Sequence, residues 1–277
     1  MNFEAKDIRA GYENVDIVKD VSFSLDSGEV LCLLGPNGVG KTTLFKSLLG
    51  FLPLHGGVVL IDGQPFNYKD CKKQAALIGY VPQLHEPPFP FQVLDVVVMG
   101  GIAQMNIFSG PTREEYQKAE NILEMLDVAF LSDKVYTEVS GGERQMVLIA
   151  RALMQEPKFL MMDEPTSNLD FGNQMRVLQQ VRMLAAKGMG IIMTSHFPDH
   201  AFMCCTKAAV MCKDTTFKVG SVEEIITEEA LQKAYGIRVK IANVDVHEEA
   251  VEMITTCLPI LNTIKISREG RKLNESA

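Results

Sequence analysis

The fold is decided by one glycine-rich stretch, Gly35-Pro36-Asn37-Gly38-Val39-Gly40-Lys41-Thr42, which Thr43 follows. A continuous apolar run, Val30-Leu31-Cys32-Leu33-Leu34, precedes it and is typical of a strand buried on both faces of a mainly parallel sheet. The segment from Lys41 to Leu49 has the pattern of a helix that Gly50 ends. A strand, a glycine turn and a helix in this order predict an anion-binding loop at the edge of a sheet.

The glycine-rich stretch matches the P-loop pattern in full, and its residue types have a chemical reason. Gly38 and Gly40 let the backbone curl so that successive N–H groups point at phosphate oxygens. Lys41 reaches the β- and γ-phosphates of a nucleotide, the Thr42 hydroxyl can ligate Mg²⁺, and Thr43 can donate to the α-phosphate. We therefore predict that residues 35 to 43 bind a nucleotide and its magnesium ion.

A second buried strand, Phe159-Leu160-Met161-Met162, ends in two carboxylates, Asp163 and Glu164. Asp163 is expected to hold Mg²⁺ through a coordinated water, as acidic residues do in P-loop enzymes. Glu164 is the candidate general base that orients and polarises the attacking water. The alternative is that both acids merely end a strand and cap a turn before Pro165, and the P-loop upstream argues against it.

Composition and charge exclude several classes of protein. The chain has 277 residues, of which 47% are hydrophobic and 22% charged, enough for a sizeable core without disulfides. The net charge of −8 argues against broad nucleic-acid binding. No signal peptide is visible, and no apolar run reaches the roughly 18 residues of a spanning helix. We expect a cytoplasmic protein unless a partner holds it at a membrane.

The cysteines predict no metal site. Six occur, none in a Cys-x-x-Cys pair, which argues against zinc and fits a reducing compartment. The adjacent Cys204 and Cys205 are expected to fill the core rather than to form a redox switch.

The order of patterns along the chain predicts a core and two subdomains. Val21 to Leu25 alternates as a strand does, and residues 57 to 81 predict two or three short strands with turns at Asp62-Gly63 and Lys69-Asp70. A proline-rich linker covers residues 85 to 90, and helical patterns fill residues 93 to 153. We predict an α/β P-loop NTPase core with an N-terminal antiparallel β subdomain and an inserted α-helical subdomain.

A second glycine pair stands in the run Val139-Ser140-Gly141-Gly142-Glu143-Arg144-Gln145. Ser140 can cap a helix, and Gly141 and Gly142 expose the N–H groups of its first turn. The run resembles the signature of the ABC ATPase family, usually Leu-Ser-Gly-Gly-Gln, and the resemblance covers about residues 1 to 240. A capping box between Ser140 and Glu143 is the structural alternative, and both interpretations can hold at once.

The resemblance implies an ATPase that holds two ATP molecules, with Mg²⁺, between two copies packed head to tail. Ser140, Gly141 and Gly142 of one copy would then contact the γ-phosphate bound to residues 35 to 43 of the other. Val139 and Glu143 depart from the usual Leu and Gln. Because Glu143 adds a negative charge near a phosphate, we expect weaker ATP affinity in the closed dimer.

Four single residues complete the site that the resemblance implies. Tyr12 matches an aromatic residue that stacks on adenine, with a surface turn tyrosine as the alternative. Gln83 matches the glutamine that senses Mg²⁺ and the attacking water, with a plain loop amide as the alternative. His196 matches the histidine at the γ-phosphate. Asp170 matches the loop across the dimer seam and also suits the N-cap of a helix over residues 171 to 187.

These assignments sort into three sets by role. The predicted catalytic residues are Glu164, His196, Lys41 and Gln83. The predicted metal-binding residues are Thr42, Gln83 and Asp163. The predicted nucleotide-binding residues are Tyr12, Gly35, Pro36, Asn37, Gly38, Val39, Gly40, Lys41, Thr42, Thr43, Asp163, Ser140, Gly141, Gly142 and Asp170.

Three other segments resemble the ATPase sequences of importers of iron–siderophore, haem and cobalamin complexes. They are residues 93–100, residues 108–111 and His196-Phe197-Pro198-Asp199-His200. Gly101 stands where that class often has arginine, and zinc or manganese importers are the nearest rival. The resemblance implies a membrane permease whose cytoplasmic helix enters a groove beside Gln83 and residues 84 to 110. It also implies, indirectly, an extracytoplasmic substrate-binding protein, a position on the inner membrane face and no nucleic-acid partner.

Two other kinds of ABC protein agree less well with the sequence. Cytosolic translation proteins usually carry two cassettes, whereas one P-loop and one signature occur here. DNA-repair relatives insert a long coiled coil before the signature, and no heptads occur here. We take residues 1 to 240 as the ATPase domain, with the helical subdomain at about 86–153, and residues 241 to 277 as a short extension. Val239-Lys240-Ile241 is expected to add a strand, and residues 265 to 277 are expected to be frayed.

Overall fold

The computed structural model describes residues 1–68, 76–83, 89–103, 110–248 and 251–260. Its strands are β1 (Asn2–Tyr12), β2 (Val15–Asp26), β3 (Val30–Leu34), β4 (Leu54–Ile61), β5 (Gln64–Pro65), β6 (Ile78–Val81), β7 (Phe159–Met162), β8 (Gly190–Ser195), β9 (Lys207–Met211), β10 (Phe217–Ser221), β11 (Val239–Glu248) and β12 (Val251–Pro259). Its helices are α1 (Lys41–Leu48), α2 (Val93–Val98), α3 (Arg113–Met125), α4 (Gly141–Leu153), α5 (Phe171–Ala186), α6 (Pro198–Cys204), α7 (Val222–Ile225) and α8 (Glu228–Tyr235). Among the described residues, no helix is long and apolar enough to cross a bilayer.

A six-stranded sheet forms the centre, in the order β10-β9-β3-β8-β7-β6. All of its strands run parallel except β10, and every residue of β3, β7 and β8 is buried, as continuous apolar runs predict. Leu34 pairs with Ser195 and Met162 pairs with Met193. The carboxyl ends of three central strands therefore meet at one edge, where ligands bind in open α/β sheets.

A second, antiparallel sheet has the order β2-β1-β4-β5 and confirms the predicted N-terminal subdomain. The turn between β4 and β5 falls at Asp62 and Gly63 as predicted, both with positive φ (49° and 73°), which suits a two-residue hairpin. The Phe3 and Phe159 rings, 5.7 Å apart, join this sheet to the central one. The predicted turn at Lys69-Asp70 lies outside the described residues.

The helices α2, α3 and α4 lie between β6 and β7, so the helical insertion is also confirmed. Three 3₁₀ turns connect them, at Met99–Gly101, Ala129–Leu131 and Tyr136–Glu138. Apolar side chains of the insertion join the same core cluster as strands of the central sheet, so the insertion is packed on the sheet. Residues 84 to 88 of the proline-rich linker lie outside the described residues.

The C-terminal region differs from the sequence-based expectation. The strand expected at residues 239 to 241 is β11, which runs on to Glu248 and, among the residues that the structure describes, pairs only with β12, in a hairpin separate from the central sheet. The Asp199 carboxylate on α6 accepts hydrogen bonds of 2.8 Å from the Thr256 hydroxyl and the Cys257 N–H, which attach the hairpin to the core. Residues 265 to 277 lie outside the described residues.

The five cysteines within the described residues are free thiols. Cys204 is buried and Cys205 half-buried, with 3.6 Å between their sulfur atoms. Both lie where α6 ends against the core, as expected of core residues.

Candidate functional site

The glycine-rich loop follows β3 directly and adopts backbone conformations that favour glycine. Gly38 has φ 77° and Gly40 has φ 108°, both in the left-handed region. A Cβ at Gly40 would lie 3.0 Å from Ile17 Cγ2, and one at Gly35 would lie 2.7 Å from the Met211 carbonyl oxygen. The loop can therefore curl closely against β2 and β9 only with glycine at these positions.

Lys41 folds back over the loop that it follows. Its ammonium, on a side chain only 4% exposed, donates to the carbonyl of Gly35 at 2.7 Å and to that of Pro36 at 3.3 Å. Burial lowers the pKa of Lys41, and the charges of Glu164 and Asp163 only partly oppose that shift. A buried cation held mainly by neutral carbonyls gains from an anionic ligand, which is what a phosphate supplies.

Asp163 lies at the end of β7, is 2% exposed, and faces α1. It accepts a 2.9 Å hydrogen bond from the Thr194 hydroxyl and another from Thr42, the first hydroxyl residue of the loop. Burial raises the pKa of Asp163, although both hydrogen bonds act in the opposite direction. The structure thus brings together two of the three predicted metal-binding residues.

The donor set fits Mg²⁺. A buried carboxylate beside a hydroxyl offers hard oxygen ligands, and the raised pKa of Asp163 marks a site where a cation would stabilise the charged form. No three His, Cys, Asp or Glu side chains cluster to hold a metal within the described residues. Mg²⁺ needs no such cluster, because it usually takes one or two protein ligands together with phosphates and water.

The other three predicted catalytic residues all lie beside Glu164. Gln83 Nε2 donates to Glu164 Oε2 at 2.9 Å, and His196 Nε2 lies 2.6 Å from Glu164 Oε1. Lys41 Nζ lies 3.8 Å from the same Oε1 and 3.4 Å from His196 Nδ1. These residues follow β6, β7, β8 and the loop after β3, so the common sheet edge explains their convergence.

The backbone of Glu164 is unusual. Its φ is 50°, in the left-handed region that non-glycine residues seldom occupy, and its N–H donates to the Thr194 hydroxyl at 2.7 Å. Strain of this kind persists only where the surroundings enforce it, and it concentrates at functional sites. It turns the Glu164 carboxylate toward Gln83 and His196.

The second glycine pair begins α4. Ser140 and Glu143 form the capping box: the Ser140 hydroxyl accepts from the Glu143 N–H, and Glu143 Oε2 accepts from the Ser140 N–H at 2.8 Å. These bonds lower the pKa of Glu143, and Lys134 lies 3.7 Å from its carboxylate. Ser140 and Gly141 are exposed, and a Cβ at Gly142 would overlap Asn173. The α4 N-terminus thus presents an open anion-binding surface.

Asp170 and Tyr12 lie away from the Glu164 cluster. Asp170 Oδ1 accepts from the Asn173 N–H at 2.9 Å, as an N-cap of α5, which agrees with the structural alternative. Tyr12 ends β1 and is 46% exposed, opposite Val15 at 66%. Ile17, two residues after Val15 on β2, lies beside Gly40 of the glycine loop.

Two contacts at this site were not predicted from the sequence. Thr194 bridges Asp163 and Glu164, and the only sequence signal is a hydroxyl residue near the end of the buried strand that precedes His196. Tyr235, from the end of α8, accepts a 3.1 Å hydrogen bond from the Gly35 N–H. No local pattern relates these two residues, which are 200 positions apart.

Comparison with known proteins agrees with this geometry. The model of the ABC transporter family matches residues 18–167. An ABC transporter ATP-binding protein of Haemophilus influenzae is 38% identical over 85% of this chain and 89% of its own length. A hemin import ATP-binding protein of Hahella chejuensis is 34% identical over 86% of this chain and 94% of its own length. A solved metal-chelate type ABC transporter, in an inward-facing conformation, superposes with TM-score 0.83 and 31% identity, covering 94% of this chain and 97% of its own.

Proposed function

The chain belongs to the ABC transporter family, as an ATP-binding subunit for import, and from that membership we propose that two copies of it drive import of a metal chelate through a separate permease. Members of this class bind ATP with Mg²⁺ and hydrolyse it. The observation that carries the proposal is the convergence of Gln83, His196 and Lys41 on Glu164, directly beside the glycine loop.

The proposed nucleotide site uses the residues of the sheet edge. The amides of residues 38 to 43 and the Lys41 ammonium bind the phosphates, and the exposed Tyr12 ring stacks on the base. Thr42, Asp163 and Gln83 would hold Mg²⁺, which when bound would neutralise charge on the phosphate oxygens. Lys41 then exchanges its carbonyl acceptors on Gly35 and Pro36 for phosphate oxygens.

Glu164 is the proposed general base. Its carboxylate is the only group on this edge that Gln83, His196 and Lys41 all approach among the described residues. It accepts the proton of the attacking water, while His196 and Lys41 stabilise the charge that develops on the transferred phosphoryl group. Gln83 orients the carboxylate from the β6 side, where the chain leaves for the helical insertion.

The proposed second half of each site comes from the other copy. Ser140 and Gly141 are exposed at the start of α4, and the capping box uses the N–H groups of Ser140 and Glu143, which leaves those of Gly141 and Gly142 for an anion. Lys134, 3.7 Å from the Glu143 carboxylate, offsets part of its negative charge and so limits its repulsion of a phosphate at this helix end. Asp170 and the α5 N-terminus lie next to this surface, since Asn173 contacts Gly142.

The proposed cargo is an iron–siderophore, haem or cobalamin complex. Support comes from the hemin import relative and from the metal-chelate type neighbour, whose match extends over 94% of this chain. Relatives named for manganese in Listeria innocua and zinc in Treponema pallidum, at 31% and 29% identity, keep metal-ion import as the second candidate. The proposed location is the inner membrane face, against the permease.

Reconstitution tests this proposal. The ATPase is co-expressed with a candidate permease, placed in proteoliposomes, and assayed for ATP hydrolysis with a candidate binding protein loaded in turn with each cargo. Stimulation by an iron–siderophore, haem or cobalamin complex supports the proposal. Stimulation only by zinc or manganese favours the second candidate, and failure to co-purify with any membrane protein contradicts a transport role.

A further inference from the structure

The backbone of Gly35 is held by hydrogen bonds at both its N–H and its carbonyl oxygen. Its N–H donates to the Tyr235 hydroxyl at 3.1 Å, and its carbonyl accepts from Lys41 Nζ at 2.7 Å. Gly35 is the first residue after β3, so it sets the direction in which the glycine loop leaves the sheet. The two bonds therefore fix the entry of the phosphate-binding loop.

Phosphate competes directly with only one of these two bonds. The Lys41 ammonium is the group proposed to contact phosphate oxygens, which then compete with the Gly35 carbonyl for it. Phosphate binding to Lys41 leaves the Tyr235 bond in place, because that bond uses the Gly35 N–H, and Tyr235 is half-buried against the core. Tyr235 is thus the contact that can hold Gly35 in both states.

The C-terminal region fixes the position of Tyr235. It is the last residue of α8, and Gly236, with φ 74°, turns the chain away immediately after it. Lys233 Nζ on the same helix contacts Asp214 Oδ2 at 3.0 Å, and Glu228 Oε1 accepts from the Ile241 N–H at 3.2 Å. The helix that carries Tyr235 is therefore attached both to the β9–β10 turn and to the C-terminal hairpin.

We propose that Tyr235 is a positioning residue of the nucleotide site, whose hydroxyl preforms the glycine loop by holding the Gly35 N–H. This inference rests on the proposed nucleotide-binding role of residues 35 to 43. Without the hydroxyl, the free loop relaxes so that Gly35 can satisfy its N–H elsewhere, since glycine has few conformational restrictions. Nucleotide binding must then return the loop to its bound conformation, in which the Gly35 N–H has lost its Tyr235 partner. The affinity for nucleotide falls by the free energy of that change.

The experiment compares two phenylalanine variants by calorimetric titration with ADP and Mg²⁺, which requires neither hydrolysis nor a closed dimer. Tyr235→Phe removes the hydroxyl under Gly35. Tyr68→Phe is the matched control, because its hydroxyl also bonds a backbone group, the Leu48 carbonyl at 3.2 Å, away from the loop entry. Thermal unfolding of each variant is measured in parallel.

The proposal expects the Kd for ADP to rise about tenfold in Tyr235→Phe and to stay within about twofold of wild type in Tyr68→Phe. A Kd unchanged in Tyr235→Phe, with a lower Tm alone, overturns it and leaves Tyr235 a structural residue. Lys41→Ala separates this result from failure of the site itself. If wild type does not bind ADP, or Lys41→Ala binds it equally well, the nucleotide site is misassigned and the proposal falls with it.

Discussion

The imidazole of His196 and the carboxylate of Glu164 are in direct contact, with 2.6 Å between Nε2 and Oε1. The two residues follow neighbouring parallel strands, β8 and β7, so both lie at the same edge of the sheet. Gln83 holds the other carboxylate oxygen at 2.9 Å. A carboxylate held at both oxygens is preorganised for accepting a proton from a correctly placed water.

Glu164→Gln should bind ATP and hardly hydrolyse it, because an amide cannot accept the proton of the attacking water. We expect the rate of hydrolysis to fall about 10²–10³-fold with little change in the affinity for ATP. Phosphate release and nucleotide titration measure the two quantities. Glu156→Gln, which changes an exposed carboxylate beside Lys118, is the control. Hydrolysis at a near-normal rate in Glu164→Gln would falsify the assigned role.

Asp163→Asn should stabilise the metal-free, nucleotide-free protein while it abolishes hydrolysis. Burial raises the pKa of Asp163, so its charge costs folding free energy at neutral pH, and the neutral amide avoids that cost. We expect a gain of about 1 kcal/mol, seen as a rise of about 2–4 °C in Tm. Asp214→Asn is the opposite control, since hydrogen bonds to Thr216 and Lys233 lower the pKa of that exposed carboxyl to about 2. A Tm that falls in Asp163→Asn contradicts the prediction.

The stability of the protein should decline as the pH falls below about 6.5, in part through His200. Its ring is 3% exposed, lies 2.9 Å from the Ser195 hydroxyl, and has a pKa lowered by burial, with only Asp199 opposing the shift. The unfolded chain then binds more protons than the folded one, so the stabilisation is present above the unfolded pKa of about 6.5 and is lost below it.

His200→Gln should flatten that dependence. The variant and wild type share every other histidine, so the difference between their profiles of Tm against pH from 5 to 8 isolates His200. Profiles that stay parallel over the whole range would count against a neutral, buried His200.

Ser140→Ala should lower both stability and ATP hydrolysis. Loss of the N-cap hydroxyl costs about 1 kcal/mol, and loss of the proposed contact with the γ-phosphate should slow turnover separately. Thr112→Ala removes the equivalent cap of α3, where Thr112 and Glu115 form the same capping box. Equal losses of Tm in the two variants, with reduced hydrolysis only in Ser140→Ala, are expected. Equal rates of ATP hydrolysis in the Ser140→Ala and Thr112→Ala variants would show that Ser140 acts only as a helix cap.

Glu143→Gln should bind ATP more tightly in the closed dimer. The amide keeps the capping box with Ser140 but removes a negative charge near the proposed γ-phosphate position. Because Lys134 already offsets part of that charge, we expect a change of about twofold to fivefold. The measurement is ATP-dependent dimerisation at several salt concentrations, and an affinity equal to that of wild type would refute the charge argument.

Local patterns predicted most of the central fold. Val30 to Leu34, the glycine loop and α1 form a continuous segment in which apolar run, turn and helix signals follow one another, and the structure has them in place. The capping box at Ser140 and the N-cap at Asp170 also depend on neighbours three residues away, so they could be predicted from the sequence.

Contacts between distant segments could not be predicted in the same way. The hydrogen bond between Gly35 and Tyr235 depends on how α8 packs beside the glycine loop. No local pattern near either residue indicates that packing. The C-terminal hairpin was expected only as a strand at residues 239 to 241. Its strands form a two-stranded sheet, and exposed Val244, Met253 and Leu258 obscure the usual alternation of buried and exposed side chains.

The central claim is that each ATP is bound between two copies, with the glycine loop from one and Ser140 from the other. Light scattering on Glu164→Gln with ATP and Mg²⁺ tests it most directly, because that variant holds ATP without consuming it. The account predicts a dimer that forms with ATP, dissociates with ADP and is lost in the double variant Glu164→Gln, Ser140→Arg. A monomer in every condition, together with full hydrolysis by monomeric wild type, would contradict it.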